Sequence, residues 1–111
     1  MFSVEYFNNT VYISTYNIRR INFVYYDKLR KLITAGLKQN CNKIVLNLPG
    51  VRIIDKSAIE MLKLMRGMAL NIGVQLVFMN VNDDLKTYIC DFTKELEPCF
   101  STETEFPIKS H

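Results

Sequence analysis

The chain has 111 residues, 49% of them hydrophobic and 23% charged, with a formal net charge of +3. That is enough chain for one packed core and too little for two ordinary domains. The basic residues are scattered from Arg19 to Lys109, which argues against a nucleic-acid partner, and no apolar run approaches the roughly 20 residues that direct membrane insertion as a spanning helix needs.

Cys41, Cys90 and Cys99 are three and widely spaced. They match neither a fully paired disulfide framework nor a zinc spacing, and read as reduced thiols. Met1 to Asn9 lacks a basic segment followed by an apolar stretch and a cleavage site. Together these features place the chain, as an expectation, in the cytoplasm.

In chain order, Phe2 to Phe7 and Val11 to Tyr16 are β-branched and aromatic runs separated by Asn8-Asn9-Thr10. Asn tolerates the left-handed conformation of tight turns, so an opening antiparallel hairpin is expected. From Asn22 to about Gln39 the period lengthens: Tyr25, Leu29, Leu32, Ile33 and Gly36 recur at three and four, which predicts an amphipathic helix. Lys43 to Leu48 predicts an interior strand that Pro49-Gly50 stops. Asp55 to Asn71 reads as a second helix ending near Gly73, and Val74 to Met79 as the next strand. Asn82 is placed to cap a third helix through about Phe92. Leu96 to Phe100 reads as a last short strand, Pro98 marking it as an edge.

Strands alternating with helices after a hairpin predict an α/β fold. The expected architecture is a single domain over residues 1–100, with a mixed, mostly parallel sheet of four to five strands and about three helices. The tail from Ser101 to His111 carries no periodic pattern and is expected to be mobile.

The second helix separates into three lines at about 100° per residue. Ala58, Leu62, Met65, Ala69 and Ile72 form a core stripe, and Lys56, Glu60, Lys63, Gly67 and Asn71 a wet face. Between them run Ser57, Met61, Leu64 and Met68. This third line either packs on a neighbouring helix or forms a partly exposed docking surface, for which adaptable Met side chains suit. Asp55 or Ser57 can cap the helix. A phosphate on Ser57 would sit at the positive end of the helix dipole and add close to two negative charges beside the Met61 to Met68 line.

Catalytic chemistry has little to work with. His111 is the single histidine and the last residue, Cys90 and Cys99 lack a Cys-x-x-Cys spacing, and Pro49-Gly50 is not part of a phosphate-binding loop. Asp83 and Asp84 read as first-turn charges of a helix and not as metal ligands. The reading is a non-enzyme with no cofactor, no metal and no catalytic residue.

The stretch Ile44 to Ile59, I-V-L-N-L-P-G-V-R-I-I-D-K-S-A-I, and the strand G-V-Q-L-V-F-M after the helix resemble the STAS domain family, most of all the bacterial anti-sigma factor antagonists. The resemblance covers roughly Val11 to Phe100. In that family the segment reads Asp-Ser-Ser-Gly or a close variant, whose last Ser or Thr is phosphorylated by an anti-sigma factor kinase. It implies that Ser57 is the phosphorylated position and that Asp55 matches the family aspartate. It also implies a partner-switching role in transcription regulation, binding the anti-sigma factor when unphosphorylated. With Lys56, Ala58, Met61, Leu64 and Met68 these residues make up the candidate partner-binding set. Lys56 and Ala58 replace a small residue and a glycine, and Tyr16-Asn17-Ile18-Arg19 replaces a Gly-x-Leu-Asp pattern, which alters the ground for kinase recognition. Related STAS modules serve phospholipid or anion transport systems by docking on an ATPase or transporter, and that role is the alternative.

Overall fold

The computed structural model describes residues 1–100. Strand β1 (Phe2–Phe7) turns into β2 (Thr10–Thr15) with Phe7 opposite Thr10. Asn8 and Asn9 have φ of 53° and 60°, and positive values at both central residues are what a two-residue hairpin turn of the favoured twist requires. The chain then makes a two-residue strand, β3 (Arg20–Ile21), and helix α1 (Phe23–Leu37), followed by β4 (Lys43–Asn47). A second two-residue strand, β5 (Ile53–Ile54), leads into α2 (Lys56–Asn71), then β6 (Gln75–Met79) and α3 (Asp83–Phe92).

Strands β1, β2, β4 and β6 form one sheet in that order. β2 pairs parallel with β4 and β4 with β6, so α1 and α2 are crossovers stepping the same way. Right-handed crossovers of one direction put both helices on one face. The core reflects this: Val11, Ile13, Ile44, Leu46, Leu76 and Phe78 of the sheet are buried with Leu29 and Ile33 of α1, Leu62 and Met65 of α2 and Ile89 of α3. Gly36 lets α1 approach closely, since a Cβ there would stand 3.2 Å from Ile44 Cδ1 and 3.4 Å from Val11 Cγ1. Tyr12, Val45, Val77 and Met79 make a second buried cluster of sheet residues alone.

Three expectations change. The predicted last strand at Leu96 to Phe100 is a 3-10 turn over Glu97–Cys99 with one parallel bridge, Phe78 to Phe100. Pro98 sits within the first turn, and Leu96 and Cys99 are buried at a spacing of three, which suits a 3-10 turn and not the alternation of a strand. Ile72, assigned to the core stripe, is 58% exposed because α2 has ended there. β3 and β5, which pair parallel with each other, were not expected as strands. The expected mobile tail lies outside the described residues.

Candidate functional site

The β3–β5 pairing sets the geometry of the site. Ile21 and Ile54 are register partners and both fully buried, and the next residues, Asn22 and Asp55, are the N-caps of α1 and α2. The two helices therefore begin side by side. The Asp55 N–H donates to the Ile21 carbonyl at 3.0 Å, stitching the two starts together.

The caps differ. The Asn22 side chain accepts from the Val24 N–H at 3.0 Å, whereas the Asp55 side chain makes no cap bond. The first amides of α2 are left without a side-chain acceptor from Asp55, at the end where the helix dipole is positive. Ser57 is the second residue of α2, exposed, and its side chain makes no hydrogen bond among the described residues. Its hydroxyl faces outward at a helix N-terminus.

The flanking residues divide by direction. Lys56 reaches toward α3, its Nζ 5.8 Å from the Phe92 ring centroid, a distance at which a cation is attracted to the ring face. Ala58 is fully buried, so its methyl group lies in the core and not on the surface beside the serine. Met61, placed in the candidate partner-binding set, is 2% exposed and belongs to the core, so it offers nothing to a partner. Leu64 and Met68 of the same line are 62% and 42% exposed.

Sequence reasoning missed three apolar side chains at this end: Phe23 and Val24 in the first turn of α1, and Ile53 of β5, are all exposed. The available signal was the pair of apolar residues directly after the Asn22 cap, ahead of the stripe that begins at Tyr25.

The surroundings are basic. Arg19 and Arg52 line a shallow depression with Asn17, Ile18, Pro49 and Gly50. The Arg52 N–H donates to the Arg19 carbonyl at 2.8 Å, fixing the two loops against each other. Arg20 and Lys56 are exposed nearby in the chain. Ion pairs among the described residues involve Arg30, Lys31 and Lys63 but none of these four. Asp27 is held below the usual carboxylate range by Arg30 and Lys31, and its charge is already matched. Burial pushes the Cys99 thiol up to about 11, partly opposed by Arg66, so this sulfur stays protonated at neutral pH and is a poor nucleophile.

The sequence matches the family model for the STAS domain over residues 13–106. The chain belongs to the STAS domain family. Among solved structures this STAS fold is shared with the anti-sigma factor antagonist SpoIIAA in its unphosphorylated form, at a TM-score of 0.75 and 19% identity over 95% of this chain and 90% of that one. The Bacillus cell fate determinant SpoIIAA in its phosphorylated form gives 0.73 and 17%, over 95% and 93%. The murine Slc26a9 anion transporter in its inward-facing state gives 0.64 and 17%, over 80% of this chain and 14% of a much longer one. At these identities the likeness is one of fold. No curated protein sequence matches the chain.

Proposed function

We propose that this STAS domain is a protein-binding regulatory module of the anti-sigma factor antagonist type. It docks on an anti-sigma factor kinase through the face around Ser57 and is released when that serine is phosphorylated. The observation that carries the reading is the exposed Ser57 hydroxyl, free of side-chain hydrogen bonds at the second position of α2, on the same side of the helix as the exposed Leu64 and Met68. A kinase can reach it without unfolding the helix, and the resulting phosphate is favoured by the first-turn amides and dipole. The helix therefore tolerates the modification.

Its effect falls on the partner. Leu64, Met68, Phe23, Val24 and Ile53 offer apolar area, Asp55 and Lys56 frame the serine, and Ala58 and Met61 support it from beneath. A phosphate carrying close to two charges must be desolvated if this face is to close against a partner, unless the partner supplies matched donors. The role is binding, with the kinase supplying the chemistry.

The fold shared with Slc26a9 supports a second reading, a STAS module docked on a transport ATPase or transporter. One experiment separates the two. The protein is incubated with ATP and a partner-switching anti-sigma factor kinase, and intact mass and peptide mapping are recorded. The proposal expects one phosphoryl group, located on Ser57 and absent from Ser57→Ala. An unmodified chain that co-purifies with a transport ATPase favours the second reading.

A further inference from the structure

Strand β1 is the outer strand of the sheet, with β2 on one side and no neighbour on the other among the described residues. Its hydrogen-bonding directions can be read from the hairpin. The Met1 ammonium donates to the Tyr16 carbonyl at 3.1 Å and the Tyr16 N–H to the Met1 carbonyl at 2.7 Å. In an antiparallel ladder this exchange recurs at every second residue, so Ser3, Glu5 and Phe7 address β2. Phe2, Val4 and Tyr6 present their N–H and C=O groups to the open edge.

Such an edge pairs with another strand unless it is guarded by lysine, proline, a bulge or an inward charge. β1 reads F-S-V-E-Y-F and carries no lysine, proline or bulge, and Glu5, its single charged side chain, alternates to the face opposite Val4 and Tyr6. Val4 and Tyr6 are half exposed and line, with Leu32, Ala35 and Gly36 of α1 and Val11, an apolar groove of about 230 Å³.

We propose that two copies of the chain pair antiparallel through β1, about a two-fold axis at Val4. A two-fold axis normal to the sheet brings residues of the same parity opposite each other, so both copies keep their helices on one face. Centring on Val4 sets Val4 against Val4 and Phe2 against Tyr6 of the other copy, and these are the residues whose backbone groups are free. Each such pair exchanges two hydrogen bonds. On the far face Glu5 stands across from Ser3. Sliding the register by two residues toward the turn centres the axis on Glu5 and opposes two carboxylates, a destabilising arrangement. Sliding it the other way centres the axis on Ser3 and leaves Tyr6 with no partner in the strand, so only the Val4 register pairs Phe2, Val4 and Tyr6 together. The edge thus complements itself in one register, which favours a second copy over an unrelated strand. The pairing shares no residue with the Ser57 face and stands independently of the function proposed there.

Sedimentation equilibrium on the full chain tests it. The wild type should self-associate to a dimer. Val4→Lys, which sets two ammonium groups opposite each other at a half-exposed position, should raise the dissociation constant at least about tenfold with an unchanged circular dichroism spectrum. Ser3→Lys adds two symmetric partners for Glu5 and should lower it several-fold, the gain fading with salt. If Val4→Lys loses its fold, the Ser3→Lys comparison decides. A wild type that is monomeric at its highest soluble concentration, or a dimer indifferent to both changes, overturns the proposal.

Discussion

Ser57 and Met61 stand one turn apart on α2 and end in opposite surroundings, one exposed and one 2% exposed. At about 100° per residue Met61 is rotated roughly 40° from Ser57 toward the core stripe, Met68 roughly 20° the same way and Leu64 roughly 20° the other way. Burial falls in that order, and Ile59, fully buried, closes the far side of an arc about 160° wide. The sheet and α1 together cover more of α2 than a narrow stripe requires, which is why the docking line read from the sequence loses one of its members. Met61→Ala should then cost about 2–5 kcal/mol of unfolding free energy, as buried truncations do, whereas Leu64→Ala should stay within about 0.5 kcal/mol. Urea unfolding of the two variants checks the assignment, and equal losses would place both side chains in one environment.

Helix starts were the most legible elements. Asn82 caps α3 as its sequence position suggests, accepting from the Asp84 N–H at 2.9 Å and the Leu85 N–H at 3.3 Å. Asp55 occupies the same position for α2 but makes no such bond. A composition rule names the capping residue, while the rotamer that makes or forgoes the bond depends on surroundings the local sequence does not encode. Asn82→Ala should therefore lower stability by about 1 kcal/mol, and Asp55→Ala by less than half of that, by denaturant midpoints at constant slope. Comparable losses would mean that Asp55 caps in solution. β3 and β5 escaped notice because two residues have no periodicity to detect. They exist because Ile21 and Ile54 are drawn into the core and leave their backbones side by side.

At the scale of the molecule, the hairpin and the crossovers followed from chain order and handedness, since alternating strands and helices with short connections admit few arrangements. The candidate site was legible only in part. Asp55, Lys56 and Ser57 could be placed from one segment, but Phe23 and Val24 join them through the β3–β5 pairing, a contact 33 residues apart in sequence at Ile21 and Ile54. The arginines at 19, 20 and 52 gather at this end for the same reason. The face therefore gathers exposed apolar side chains and arginines around Ser57 and its neighbour Asp55.

Calorimetric titration of Ser57→Ala and Ser57→Asp into one anti-sigma factor kinase measures whether a negative charge at position 57 controls partner binding. Ser57→Ala should bind as the wild type does and Ser57→Asp at least about tenfold more weakly, a difference of about 1.4 kcal/mol, with both variants folded. Equal affinity for the two would contradict that control.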